Sequence, residues 1–235
     1  MLLKVMTYNI QSGRNLAGDR SVGHALSAIR AEMPDILTLN EVQHCTEASE
    51  GRCQAAGIAA ALGYGHRFAR AIDLWGGEYG IALLSRFPIL SAEVFPVPEL
   101  EPALRDGWYE PRVHLRCRLE IEGRALTVLS THYGLSDGEI RLAVAESCRL
   151  AEGNEPLLLM GDLNAEPDSP LLAPLMEAFA DTAPADGALL LTYPSDTPEK
   201  KIDYIFTRGD FAVRRVWVPA TTDSDHRPYC AELEF

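Results

Sequence analysis

The chain has 235 residues, with 21 Lys and Arg against 34 Asp and Glu, a net charge of −13. Apolar residues make up 47% and charged residues 23%, which excludes a disordered chain and allows a buried core without a disulfide or zinc staple. No apolar run approaches the roughly 20 residues of a membrane span, and the opening MLLKVMTYNI turns polar too early for a signal peptide, so a soluble chain is expected.

In chain order, alternation over residues 2–9 predicts a strand ending at Asn9. Ser21 can cap a helix carrying Val22, Ala25, Leu26, Ile29 and Met33 at helical spacing, stopped by Pro34. Residues 36–39 read as a short buried strand leading into Asn40 and Glu41, and residues 54–62 as an Ala-rich helix closed by Gly63. Strands follow at 79–84, 89–97, 113–121 and 125–130, then a helix at 138–152, a strand at 156–160 and a helix at 170–179. Strands at 202–206, 211–218 and 229–235 close the chain. Consecutive strands indicate antiparallel pairing and crossover helices indicate parallel pairing, so the expectation is one α+β domain over 1–235, with two packed mixed sheets and helices outside.

The five cysteines, an odd number without C-x-x-C spacing, argue against a disulfide framework or a cysteine zinc site and for a reducing cytoplasm. Cys148 and His44 carry no signal of their own. No window forms a basic cluster. Setting aside four acidic residues assigned below to the site still leaves a net charge of −9, which weakens a tight nucleic-acid-binding reading.

Polar residues gather at strand ends. Asn9, Glu41, His132 and Asp162 each end an apolar strand, Asp203 opens one, and Asp225-His226 precede the last. In a mixed sheet the C-terminal ends of some strands share an edge with the N-terminal ends of antiparallel neighbours, so these groups can meet at one rim.

The segments TYNI (7–10), PDILTLNEV (34–42), YGIALLSRFP (79–88), STHY (130–133), GDLN (161–164), KIDY (201–204) and SDHRP (224–228) give the chain its resemblance to the endonuclease/exonuclease/phosphatase superfamily. That superfamily includes DNase-I-like nucleases, neutral sphingomyelinases, inositol polyphosphate 5-phosphatases and deadenylases. The segments occur in the family's order over essentially the whole chain, and the resemblance implies a four-layer α/β/β/α sandwich. It also implies that Glu41 holds Mg²⁺ or Mn²⁺ with Asn9 and Asp225 nearby, hard cations that favour oxygen ligands. Asp162 would orient or deprotonate the attacking water beside Asn164, and His226 would pair with Asp203; the sequence leaves open whether Asp162 or His226 is the general base. His132 and Arg112 would contact non-bridging phosphate oxygens.

Taken singly, each residue has a plainer account: Asn9 capping a turn, Glu41 or Asp203 at a solvated edge, His132 and His226 in structural roles, Arg112 on an outward strand face. The resemblance to the DNase-like branch would have Glu78 orient His132, although an exposed strand-edge glutamate is the better account of it. The segments depart from the family pattern at Asn40, where Gln is usual, and at Ile81, where Asn is usual. The expected activity is divalent-metal-dependent hydrolysis of a small-molecule or lipid-head-group phosphoester by in-line attack of water. The alternative is a DNA or RNA nuclease, which a steep loss of activity with salt would favour, and after that an inactive binding module.

Overall fold

The computed structural model describes residues 1–105, 109–154, 156–184 and 190–235. Among them the chain runs β1 (Leu2–Asn9), α1 (Val22–Glu32), β2 (Ile36–His44), α2 (Gln54–Leu62), β3 (Gly65–Leu74), β4 (Gly77–Ser85), β5 (Ile89–Pro96) and β6 (Val113–Ile121). It continues through β7 (Arg124–His132), α3 (Asp137–Ala151), β8 (Leu157–Asp162), α4 (Ala173–Ala178), β9 (Ala180–Asp181), β10 (Asp203–Arg208), β11 (Ala212–Trp217) and β12 (Tyr229–Glu234).

The strands form two six-stranded sheets, ordered β11-β12-β1-β2-β4-β3 and β5-β6-β7-β8-β10-β9. In each sheet one pair is parallel and is joined by a crossover helix: β1 and β2 through α1, β7 and β8 through α3. Both helices begin as their sequences dictate. The Ser21 hydroxyl accepts from Gly23 N, and Ser136 with Glu139 forms a reciprocal capping box.

Three apolar clusters separate four layers. Leu3, Val5, Ile36 and Leu83 of the first sheet meet Leu115, Val128, Leu158, Met160 and Ile205 of the second. Met6, Tyr8, Leu37 and Leu39 pack on Ala25, Ile29, Ile58 and Ala59 of α1 and α2. Leu129, Leu157, Leu159 and Phe206 pack on Ile140, Val144 and Leu175 of α3 and α4. The α/β/β/α sandwich expected from the sequence is the fold observed.

The sequence reading missed β3, a polar edge strand, and the two-residue β9. It overran at residues 170–179, where a single 3-10 turn (Pro170–Leu172) leads into the six-residue α4. It also misjudged the cysteines: Cys45 and Cys53 are joined as a disulfide, with Cα atoms 4.9 Å apart. Strand β2 runs past Leu39 to His44, and an antiparallel bridge between His44 and Cys53 brings the two cysteines together, a proximity that an eight-residue separation does not advertise. Among the described residues no helix is long and apolar enough to cross a membrane.

The two sheets are tied by a polar link at one edge. In β2, Ile36, Thr38 and Asn40 alternate with Leu37 and Leu39, so Asn40 points between the sheets and is fully buried. Its Nδ2 donates to Thr131 O (2.6 Å), and its Oδ1 accepts from Asp162 N (3.2 Å). At Gly161 the backbones approach so closely that a Cβ would lie 2.0 Å from Thr131 O.

Asn40→Ala leaves a buried carbonyl and a buried N–H unpaired and is expected to lower the unfolding free energy by about 2–4 kcal/mol, read by urea denaturation.

A second buried polar link joins β6 to α3, where His114 Nε2 lies 2.7 Å from Ser147 Oγ and Ser147 Oγ lies 2.6 Å from Tyr133 Oη. Burial pushes the His114 pKa down from 6.5 to about 4. The folded state then binds fewer protons than the unfolded chain between those values, so the stabilisation is complete above pH 6.5 and is lost as the pH falls toward 4. The gap corresponds to about 3 kcal/mol. Between pH 7 and pH 4 the wild type is expected to lose about that much more stability than His114→Gln, measured by denaturation at each pH.

Candidate active site

A β-bulge places the first carboxylate. Pairing between β2 and β4 shifts register between Leu39 and Val42, and Glu41 adopts a left-handed φ of 58°. Strict alternation would turn Glu41 toward the α-helices beside Leu37 and Leu39. The bulge gives that inward position to Val42 and releases Glu41 to the rim. A left-handed non-glycine residue that projects a carboxylate into a cavity is the kind of local strain that collects at functional sites.

The remaining groups arrive by register. In the parallel pairs Asn9 lies beside Asn40, and His132 beside Asp162. In the antiparallel pair of β8 and β10, Asp203 lies opposite Asp162. The last strand begins at Tyr229, opposite Thr7, which brings Asp225 and His226 to the same edge. Lys201 is buried against Asp181 (3.1 Å) with its ammonium 3.2 Å from the Tyr204 ring centroid, and so anchors the approach to β10.

Asp162 is the hub. Its Oδ1 accepts from Asn164 N (2.9 Å) and its Oδ2 from Asn9 Nδ2 (3.1 Å), while His132 Nε2 and His226 Nε2 lie 3.6 and 3.7 Å from that same Oδ2. Asn9 Nδ2 also reaches Glu41 Oε1 (3.1 Å), and Asn9 Oδ1 accepts from Gln11 N (3.1 Å). Asp225 Oδ2 accepts from Gln11 Nε2 (2.8 Å). Asn164, left-handed at φ 49°, donates its side-chain N–H to Tyr133 O (3.0 Å).

The two histidines are held in opposite ways. His226 Nδ1 lies 2.9 Å from Asp203 Oδ2, a carboxylate that can only accept, so Nδ1 carries a proton. Burial opposes charge on His226, but Asp203, Asp162 and Asp225 together raise its pKa, so it stands as an imidazolium. His132 Nδ1 instead meets Arg112 Nη1 at 2.9 Å. A guanidinium can only donate, so Nδ1 accepts and the His132 proton sits on Nε2, the nitrogen facing Asp162. Burial, then Arg112 and then His226 push the His132 pKa far down, leaving a neutral donor. Arg112 is in turn paired with Glu110 (2.6 Å).

Burial raises the Asp162 carboxyl, with Asp203 adding to the effect and His226 opposing it. Burial raises Glu41 as well, against the Asn9 hydrogen bond that lowers it. Carboxylates of Glu41 and Asp225 near one another, supported by amide groups, form a hard oxygen donor set of the kind that Mg²⁺ or Mn²⁺ takes.

All nine residues singled out in the sequence therefore meet at one edge. Glu41, Arg112, His132, Asp162, Asn164, Asp225 and His226 line a cavity of about 510 Å³, while Asn9 and Asp203 brace those residues. Glu78 lies elsewhere, exposed near Arg70 (3.8 Å), and the residue on His132 is Arg112. Sequence reasoning missed Glu110, Glu166, Tyr193 and Lys200 in the cavity wall. Glu110 stands two residues before Arg112, Glu166 two after Asn164 and Lys200 next to the KIDY segment, whereas Tyr193 lies far from any recognised position.

The fold and rim together define a phosphoester-cleaving class of protein. The model of the Endonuclease/Exonuclease/phosphatase family matches residues 6–226, and the chain belongs to that family, whose members are metal-dependent phosphoester hydrolases. No curated protein sequence matches it. Among solved structures, the endonuclease/exonuclease/phosphatase from Bacteroides vulgatus superposes with a TM-score of 0.81 at 20% identity, covering 100% of this chain and 99% of that one. The endonuclease/exonuclease/phosphatase from Beutenbergia cavernae DSM 12333 gives 0.74 at 24% identity, covering 100% and 72%. The mannosyl-6-phosphatase Bt3783 of Bacteroides thetaiotaomicron VPI-5482 gives 0.75 at 21% identity, covering 99% and 100%. At these identities the likenesses speak to the fold.

Arg112→Met removes the donor from His132 Nδ1. Long-range ¹H–¹⁵N NMR at neutral pH is expected to find His132 as the Nε2–H tautomer in the wild type, and as a mixture with Nδ1–H or imidazolium in the variant.

Proposed function

We propose that residues 1–235 act as one catalytic unit that hydrolyses the phosphoester of a small molecule or lipid head group by in-line attack of water, with Mg²⁺ or Mn²⁺ as cofactor. The observation that carries this reading is Asp162 Oδ2 flanked by His132 Nε2 and His226 Nε2 at 3.6 and 3.7 Å and joined through Asn9 Nδ2 to the Glu41 carboxylate. Glu41 and Asp225, with Asn9, would hold the cation. Its contribution is Lewis acidity at a phosphoryl oxygen and charge compensation for the leaving group.

The chain's own groups divide the remaining work. Asp203 keeps His226 charged, so His226 is not free to take a proton, and Asp162 is the group left to orient the water and accept its proton. His226 then faces the reacting centre as a cation, and His132 supplies a neutral N–H to a non-bridging oxygen as charge develops there. Arg112 serves chiefly by fixing His132, and Asn164 by holding the turn after β8.

The cavity's size and lining support a compact substrate. About 510 Å³ suits a small ligand, and Glu110 and Glu166 in its wall, with a net charge of −13, repel a long polyanion.

Hydrolysis of bis-p-nitrophenyl phosphate and p-nitrophenyl phosphate is expected to require Mg²⁺ or Mn²⁺ and to stop with EDTA. Asp162→Asn is expected to lower kcat by about 10²–10⁴-fold, and the preferred ester sorts diesterase from monoesterase. Folded wild type with metal but no turnover of either ester would remove general phosphoester hydrolysis. A stronger preference for DNA that falls steeply with salt would replace this reading with a nuclease.

A further inference from the structure

Beyond the rim, the end of β2 and the loop that follows it carry a second group of side chains of types that ligate metals. His44 and Cys53 are half-buried, and His44 Nε2 and the Cys45 and Cys53 sulfur atoms lie within 4.8 Å of one another. His44 Nε2 is 3.6 Å from Cys53 Sγ. We propose that, once the Cys45–Cys53 disulfide is reduced, these three residues form a zinc site separate from the catalytic rim.

The backbone holds the three side chains together without help from the sulfur–sulfur bond. An antiparallel bridge pairs His44 with Cys53, and Cys45 N donates to Arg52 O (3.1 Å). Gly51 N donates to Thr46 O (2.9 Å), and Thr46 Oγ1 donates to Gln43 Oε1 (2.8 Å). The His44 ring is stacked on Phe68, with centroids 4.8 Å apart and planes 15° apart, which fixes the direction of Nε2. Reduction therefore frees two thiols in a loop that already has its shape.

The geometry and donor types select the metal. Zinc–sulfur and zinc–nitrogen bonds of about 2.3 and 2.0 Å in a tetrahedron space the ligand atoms by roughly 3.3–3.8 Å, which matches the His44–Cys53 separation. Two thiolates and an imidazole are a soft set that takes Zn²⁺ in preference to Mg²⁺, the reverse of the carboxylate and amide oxygens at the rim. Two thiolates also neutralise the dication. Cys53 lines a cavity of about 480 Å³ together with Ser12, Arg20 and Glu47.

The redox step balances with a dithiol as reductant. One reductant thiolate attacks a cysteine sulfur and forms a mixed disulfide, and the second reductant thiol resolves it and leaves as the cyclic disulfide. Two electrons and two protons pass to Cys45 and Cys53. Zinc binding then displaces both thiol protons.

The test uses the full chain reduced with dithiothreitol, freed of reductant under nitrogen and titrated with Co²⁺. A thiolate-to-cobalt charge-transfer band is expected to saturate at one equivalent, to be absent before reduction and to be displaced by Zn²⁺. Cys45→Ser and Cys53→Ser should each abolish the band, and His44→Asn should weaken binding at least about tenfold, with circular dichroism confirming that each variant is folded. Cobalt bound at the oxygen ligands of the rim gives no such band, so the result is independent of the hydrolytic reading. Absence of the band from reduced, folded wild type, or its persistence in a Cys45→Ser/Cys53→Ser double variant, would overturn the proposal.

Discussion

One buried amide holds the two halves of this protein in register. Asn40 sits on a strand of the first sheet and makes both of its side-chain hydrogen bonds to backbone of the second, at Thr131 and Asp162. Apolar packing between the sheets supplies most of the attraction but little sense of position along the strands, because leucines and valines slide past one another at modest cost. A buried amide with fixed partners does not tolerate such a shift, since any slip leaves polar groups unpaired in a dry interface. Asp162, the carboxylate at the centre of the rim, is attached to one of those hydrogen bonds. Fold register and site geometry are thereby the same constraint.

The site also shows how one side-chain type is given two characters by its neighbours. His132 and His226 lie at nearly equal distances from Asp162 Oδ2, yet one meets a guanidinium and the other a carboxylate at its far nitrogen. A partner that can only donate and a partner that can only accept set opposite tautomers and charges. The protein thus places a neutral donor and a cation on either side of one acid without differing solvent exposure.

Much of this was legible in the sequence because the signals were local and the chemistry sits at strand ends. Ser21 capping α1, Gly63 ending α2 and the alternation in β1, β6 and β7 each follow from a few adjacent residues. The rim residues were found because apolar strands stop at them. β3 escaped because it is an edge strand with exposed Arg67 and Arg70 and a bulge between Arg70 and Ile72 that breaks its alternation. The disulfide escaped because Cys45 and Cys53 meet only after β2 runs five residues beyond Leu39 and the chain folds back. The contacts of Arg112 to Glu110 and His132 join residues of different segments, which no spacing reveals.

The bulge in β2 sorts changes to this chain into two kinds. Replacing an apolar side chain between Ile36 and Val42 alters packing and leaves the direction of every other side chain in place. Removing Asn40 would close the bulge and restore strict alternation: Glu41 would take the between-sheet position that Asn40 holds, Val42 would keep its place beneath α1 and α2, and the rim would lose its carboxylate. For the rim, then, the number of residues in this strand is a tighter requirement than their identity.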